Sequence, residues 1–310
     1  MVDLILFGDC KDTLKQFPRN SAQMCVTSPP YYGLRDYGGE EAQIGQEQTP
    51  EEFIDNLVSV FREVRDVLKD DGVLWVNIGD SYYNYRPGTG GLPKQTVSRT
   101  SQDLPEQCNR RANKLDGLKE KDMIGIPWML AFALRADGWY LRQDIIWHKP
   151  NPMPESVKDR CTKSHEYIFL LSKNKKYYYD NEAIKEPVKQ DWGKRDRTGG
   201  KYHNPGTGLQ PHSGLSKSYE RKNKRDVWSV TNKPYKGAHF ACFPPDLIEP
   251  SILAGSREGD VILDPFMGSG TTAMVAKQHD RHYIGCELHE EYGSLIQKRI
   301  KAIPTKLPML

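Results

Sequence analysis

Two short stretches carry residue types whose spacing permits chemistry. The first is Thr27-Ser28-Pro29-Pro30-Tyr31-Tyr32-Gly33, which directly follows the apolar run Met24-Cys25-Val26. Each proline fixes its φ and lacks a backbone donor, so a strand that ends there gives way to a rigid loop. That loop offers a hydroxyl at Ser28, a carbonyl at Pro29 that no helix uses, and an aromatic face at Tyr31. A planar ring bearing an amino group suits it, with acceptors at the NH₂ edge and an aromatic against the face. A Pro-rich turn with exposed tyrosines is the plainer reading of the same residues.

The second stretch is Asp264-Pro265-Phe266-Met267-Gly268-Ser269-Gly270, set between a strand-like run at 260–264 and a helix-like run from Thr271. Glu287 follows at the end of the next strand-like run, nineteen residues beyond Gly268. Strand, glycine loop, helix, strand and acid in that order make a nucleoside site: glycines allow close backbone approach and the acid accepts from ribose hydroxyls. A phosphate-binding loop would carry lysine after the last glycine, where Thr271 stands, and a dinucleotide site would carry a third glycine where Ala273 stands. A nucleoside without phosphates, S-adenosylmethionine, fits better, with Asp264 facing its cationic amino-acid end.

Strands and helices in alternation must position these loops. Residues 3–8 read as a first strand, followed after Gly8-Asp9-Cys10 by a helix to about Phe17. Thr49 as N-cap, Pro50 at the first position and Glu51-Glu52 in the first turn open a second helix. Its apolar residues Phe53, Leu57, Val60, Phe61, Val64 and Leu68 keep helical spacing until Asp71-Gly72, which is expected to stop it. Residues 73–78 are a buried strand. The runs 141–148 and 166–172 are expected to pair as an antiparallel edge hairpin across the connector Lys149–Pro154. Helices are expected over 126–136, 245–254, 271–278 and from about Glu290. The whole is α/β with a mostly parallel twisted sheet.

At 310 residues the chain suits one α/β domain with an insertion. Hydrophobic residues make up 37% and no apolar run approaches a membrane span. No secretory signal is read at the N-terminus, and six scattered cysteines without a CxxC pair suggest neither a disulfide framework nor a zinc ribbon, so a cytoplasmic location is expected. The groups His279, His282, Cys286, His289 and Cys161, His165 read as ordinary core and surface residues, and no metal is expected. Between Lys185 and Gly237 stand thirteen Lys/Arg and five Asp/Glu, although the chain as a whole carries only +3, so the remainder is net acidic. Trp192, Tyr202, Tyr219 and Trp228 are interleaved there. The pattern matches a nucleic-acid contact grafted on an enzyme, or a solvated surface loop. The stretch from Tyr82 to Lys121 loses periodicity, and Arg86-Pro87-Gly88-Thr89-Gly90-Gly91 suggests a mobile loop at about 86–121, followed by Arg110, Arg111 and Lys114.

These motifs occur in a familiar order. Gly8-Asp9, Thr27-Ser-Pro-Pro-Tyr31, Trp147-x-Lys149-Pro150, His239-Phe-Ala-Cys-Phe243-Pro244, Asp264-Pro-Phe-Met-Gly-Ser-Gly-Thr-Thr272 and Glu287 together resemble the DNA amino-methyltransferases of the permuted β group. The resemblance spans most of the chain and implies a circularly permuted Rossmann-like, S-adenosylmethionine-dependent fold. It divides the chain into a catalytic half at 1–180, a target recognition insertion at 181–237, and a cofactor-binding half at 238–310. It implies catalytic roles for Ser28, Pro29, Pro30 and Tyr31. It places Asp264, Phe266, Gly268, Ser269, Gly270, Thr271 and Glu287 at the cofactor, with Phe243-Pro244 against it and Asp9 near its adenine. Double-stranded DNA is the implied partner; a homodimer and a cognate restriction endonuclease are compatible with it.

The expected reaction is methyl transfer to the exocyclic amine of a base flipped out of the duplex. Ser28 and the Pro29 carbonyl would accept from the NH₂, and Tyr31 would stack on the ring. Carbon-5 methylation needs a cysteine after a proline in the family that performs it, and none of the six cysteines follows one. Serine at the first loop position resembles the cytosine-N4 enzymes, with adenine-N6 as the alternative. A glutamine methyltransferase of the Asn-Pro-Pro-Tyr type and a catalytically silent DNA-binding module on the same scaffold are further rivals.

Overall fold

The computed structural model describes residues 2–33, 43–83, 115, 117–188, 220–232 and 243–303. Most of the loop expected at 86–121 lies outside the described residues, including Arg110, Arg111 and Lys114. So do Trp192, Tyr202 and Tyr219 of the basic stretch, and His239 through Cys242.

The described elements follow in order as β1 (Leu4–Phe7), α1 (Cys10–Thr13) running into a 3-10 turn at Leu14–Gln16, β2 (Ala22–Thr27), α2 (Pro50–Val67) and β3 (Leu68–Ile78). Then come α3 (Ile126–Ala136), β4 (Tyr140–His148), β5 (His165–Ser172), β6 (Glu186–Pro187), β7 (Arg221–Lys222) and β8 (Val227–Ser229). The chain closes with α4 (Pro245–Gly255), β9 (Val261–Asp264), α5 (Thr271–Gln278), β10 (His282–Glu287) and α6 (Tyr292–Lys301).

Eight strands form one sheet in the order β1-β10-β9-β2-β3-β5-β4-β8. Pairing is parallel except that β5 runs against both β3 and β4. The apolar runs thus pair antiparallel as expected, and β8 adds on the outer side of β4. β8 falls inside the span assigned from sequence to the insertion, yet Trp228 is buried and lies 6.2 Å from the Trp75 ring. β6 and β7 form a separate two-stranded ribbon.

Side-chain alternation along the strands builds a core on each face. Leu74, Val76 and Ile78 of β3 join the cluster under α2 and α3, while Val73 and Trp75 join the one under α4 and α5. On α2 the side chains of Phe53, Leu57, Val60, Phe61 and Val64 are fully buried, each contributing about 1.5–3 kcal/mol of hydrophobic stabilisation. The helix opens on a capping box, with Glu52 N–H donating to Thr49 Oγ1 at 3.2 Å and the Glu52 carboxylate accepting from Thr49 N–H.

Helix α2 stops at Val67, earlier than Asp71-Gly72. Leu68 is already extended, and the residues after it are recruited into the sheet by distant donors. Asn174 Nδ2 donates to the Asp70 carbonyl at 2.8 Å, Tyr178 N–H to the Asp71 carbonyl at 2.9 Å, and Gln23 Nε2 to the Asp71 carboxylate at 3.0 Å. None of these partners is local, so the helical period in this stretch runs on past the true end.

From β9 the chain crosses over through α5 to β10 on one side. From β2 it crosses through α2 to β3 on the other. The adjacent strands β9 and β2 are therefore the point where the winding reverses, and a crevice opens beyond their carboxyl ends.

Candidate active site

Both chemistry-bearing loops emerge at this reversal. Ser28-Pro29-Pro30-Tyr31 continues from β2, and Asp264 through Gly270 continues from β9. The two are joined at their bases. Thr27 Oγ1 donates to Asp264 Oδ1 at 2.6 Å, Thr272 Oγ1 donates to Asp264 Oδ2 at 2.5 Å, and Phe266 N–H donates to Asp264 Oδ1 at 3.0 Å. Asp264 is about 1% exposed, and burial pushes its carboxyl up to about 6 against the pull of these three donors.

Glu287 sits at the end of the neighbouring strand β10. Its Oε2 accepts from Gly268 N–H at 2.7 Å and its Oε1 from His289 N–H at 3.0 Å. Burial raises its pKa also. A carboxylate has about four acceptor sites, so two backbone donors leave it capacity for further hydroxyls. Gly268 and Gly270 adopt φ of 53° and 79°, left-handed values that favour glycine, and Gly270 leads into α5 without a side-chain cap. Asp9 lies on the same edge: Phe7 is in register with Glu287, Gly8 N–H donates to the Glu287 carbonyl at 2.9 Å, and the Asp9 carboxylate caps α1 through Lys11 N–H at 2.8 Å.

Other expected cofactor residues are placed differently. Ser269 and Thr271 are engaged by Arg299 of α6, which donates to Ser269 Oγ at 2.5 Å and Thr271 Oγ1 at 3.1 Å and so clamps the loop. Phe266 packs against the core on the α2 side, whereas Phe243, just before α4, packs against the opposite cluster that contains Met267.

In the first loop Pro29 is buried and Ser28 half-buried, and among the described residues no partner takes the Ser28 hydroxyl. Tyr32 anchors the loop, its hydroxyl donating to the Gln48 carbonyl at 3.1 Å and its ring 5.4 Å from Phe53. Tyr31 points elsewhere. Its hydroxyl donates to Glu166 Oε2 at 2.6 Å, and its ring lies so close over Gly79 that a Cβ there would meet Cε2 at 2.7 Å. Glu166 is paired with Lys149, and Asn77 Nδ2 reaches the same Oε2 at 3.3 Å.

Several of these partners carry no assigned role in the sequence motifs. Thr27 and Lys149 stand inside the recognised motifs without a role, and Thr272 ends one. Asp80 caps α3 from the loop after β3, accepting from Gly125 N–H at 3.0 Å and Ile126 N–H at 3.1 Å. Glu166 opens an apolar run and carries no signal of its own. The histidines considered for metal binding have other company: His279 pairs with Glu249 at 2.9 Å and His282 with Asp3 at 3.0 Å, while burial pushes the Cys286 thiol up to about 12.

The permuted, doubly wound sheet with these two loops at its reversal is the architecture of the Rossmann-like, S-adenosylmethionine-dependent methyltransferases. Within that class the chain belongs to the N6/N4 DNA methylase family, whose model matches residues 22–298. It is 46% identical over 300 residues to the type II methyltransferase M.Cfr9I of Citrobacter freundii, covering 97% of this chain and 88% of that protein. With M.SmaI of Serratia marcescens, also a type II methyltransferase, identity is 47% over 301 residues, covering 96% and 90%. Among solved structures, the PvuII DNA methyltransferase, described as cytosine-N4-specific, superposes with a TM-score of 0.63 at 19% identity over 98% of this chain and 87% of that one. A putative DNA modification methylase of Thermus thermophilus, complexed with S-adenosyl-L-methionine, gives 0.60 at 24% identity, with 98% and 96% covered. At these identities the structural likeness is one of fold.

Proposed function

We propose that this DNA methyltransferase is site-specific and transfers the methyl group of S-adenosylmethionine to the N4 amine of a flipped cytosine in duplex DNA. The observation that carries it is the Thr27–Asp264 hydrogen bond of 2.6 Å, which fixes the base-binding loop against the glycine loop at the reversal of the sheet. The residues present suit a nucleoside donor: the glycine loop leaves α5 open, and Glu287 is oriented by two backbone donors with acceptor capacity to spare. When bound, the cofactor supplies an electrophilic methyl already activated by its sulfonium.

The protein's own contribution is placement. Glu287 holds the ribose hydroxyls, Asp9 lies by the adenine, and Asp264 presents negative charge toward the cationic end while locking both loops. Ser28 Oγ and the Pro29 carbonyl accept the two N–H bonds of the target amine. That draws its lone pair out of conjugation with the ring and directs it at the methyl. Tyr31 stacks on the base. The methylated nitrogen, cationic after transfer, gives up one N–H proton to water and returns to a neutral amine. Serine rather than aspartate at position 28 favours cytosine-N4. Lys and Arg of the 181–237 segment bind phosphates and supply the salt-dependent part of the affinity. A restriction endonuclease cutting the same site is the partner that fits type II relatives.

Nucleoside mass spectrometry on DNA incubated with the protein and labelled S-adenosylmethionine tests this. N4-methylcytosine is expected. N6-methyladenine alone would refute the base assignment, and no methylated nucleoside on DNA containing all short sites would refute transfer to DNA.

A further inference from the structure

Tyr31 is held by more than its own loop. Its phenol proton goes to Glu166 Oε2 at 2.6 Å, and that oxygen also accepts from Asn77 Nδ2 at 3.3 Å. Asn77 in turn donates to the Tyr167 carbonyl at 3.1 Å. The other carboxylate oxygen of Glu166 is paired with Lys149, whose Nζ lies 4.2 Å from the centre of the Trp147 ring. Glu166 and Lys149 side chains are only 14% and 16% exposed, so the pair is shielded from competing water. Asn77 belongs to β3, Lys149 follows β4, and Glu166 lies on β5. Glu166 of β5 and Asn77 Oδ1 of β3, at 3.4 Å, therefore meet one phenol oxygen of a loop carried by β2, and Lys149 backs Glu166 from the end of β4. Beneath the ring, Gly79 leaves space that any side chain would fill.

We propose that Glu166 is a positioning residue for the target base, fixing the direction of the Tyr31 ring through its hydroxyl while Gly79 sets its plane, with Lys149 and Asn77 holding Glu166 in turn. This rests on Tyr31 being the stacking residue. The hydrogen bond at the tip stops the ring swinging about χ1 and the packing on Gly79 stops it turning about χ2, so a base laid against it meets the Ser28 hydroxyl at one angle. Charge-assisted hydrogen bonds such as this one are about twice as strong as neutral ones, which suits a tether. The role belongs to alignment of a bound base, so its loss lowers kcat more than it weakens binding of either substrate.

A double-mutant cycle decides it. Tyr31→Phe keeps the stacking face and removes the tether; Glu166→Ala removes it from the other side. Methyl transfer from labelled S-adenosylmethionine to DNA is measured for the wild type, both single variants and the double variant, with cofactor affinity followed by calorimetry. Each single change is expected to lower kcat about tenfold, and the double change no further than either. Cofactor affinity stays within twofold. Glu166→Gln, which retains an acceptor, restores most of the rate when Tyr31 is present and none in combination with Tyr31→Phe. Full activity of Tyr31→Phe, multiplied losses in the double variant, or rescue by Glu166→Gln without the phenol would overturn the role while leaving the methyltransferase reading intact. Absence of transfer by the wild-type chain would overturn both.

Discussion

Replacing Asp264 by asparagine separates two consequences of one buried carboxylate. The folded protein holds its proton more tightly than the unfolded chain, at about 6 against 3.8, so acid favours the folded state at this group. The penalty for ionising it is absent below about pH 4, grows between about 4 and 6, and is complete above about 6. Its full size is about 3 kcal/mol, at ~1.4 kcal/mol per tenfold change in proton affinity. Asparagine preserves the contacts. Its oxygen accepts from Thr27 and Phe266 N–H, and its amide donates to Thr272, whose hydroxyl turns from donor to acceptor.

Asp264→Asn is accordingly expected to raise stability at pH 7.5 by about 1–3 kcal/mol, part of the relief being offset by burial of the amide. Below about pH 4 the advantage disappears. Cofactor affinity moves the other way: it falls in the variant, and its wild-type loss on acidification through about pH 6 is flattened. Denaturant unfolding from pH 4 to 8, paired with calorimetric titration of S-adenosylmethionine, measures both. The charge of Glu287 helps to raise the Asp264 carboxyl, so the same comparison in a Glu287→Gln background isolates Asp264. A variant destabilised equally at every pH, or a difference in stability that does not change between pH 4 and 6, would refute the reasoning.

Ser28→Ala removes an acceptor at the reacting amine and should lower kcat by about 10²-fold, with cofactor affinity unchanged in the same titration. Gly79→Ala puts a methyl group against the Tyr31 ring and should cut kcat up to about 10²-fold while the melting temperature shifts little. Loss of the carboxylate in Glu287→Ala frees Gly268 N–H and His289 N–H, and should weaken S-adenosylmethionine about 10- to 100-fold by equilibrium dialysis. Val188 N–H donates to the Glu220 carbonyl at 3.0 Å, so residues 189–219 leave and return at neighbouring positions. Replacing them with a turn of about four residues should preserve folding and cofactor binding while abolishing methylation at the specific site, read by sequencing of modified positions. The cut must stop short of β8, because Trp228 belongs to the core.

Most of what carries the two loops was readable because it is written in local terms. Prolines, glycines and apolar runs of strand length mark β2, β9, β10 and the loops after them without reference to distant residues. The end of α2 and the placement of β8 were not readable, since both are set by partners far along the chain: Asn174 and Tyr178 for one, β4 for the other. The same holds within the site. Ser28, Asp264 and Glu287 stand in recognisable strings, whereas Glu166 becomes relevant only when β5 is folded antiparallel against β3, beside the loop that β2 carries.

That division has a physical basis. On the proposed reading the motif residues meet the ligands directly, so their types and spacing are constrained along the chain. The residues that aim them are constrained only in space, and any strand that passes can supply them. Thr27 and Asp264 lie 237 positions apart yet share a hydrogen bond, which exists only because the reversal of winding sets β2 beside β9. The site concentrates buried acids, at Asp264 and Glu287, where an apolar core would be more stable. Asp264 takes donors from β2, the glycine loop and α5, and Glu287 from the glycine loop and the turn after β10, so the stability forgone is converted into a fixed spacing of the elements around the crevice.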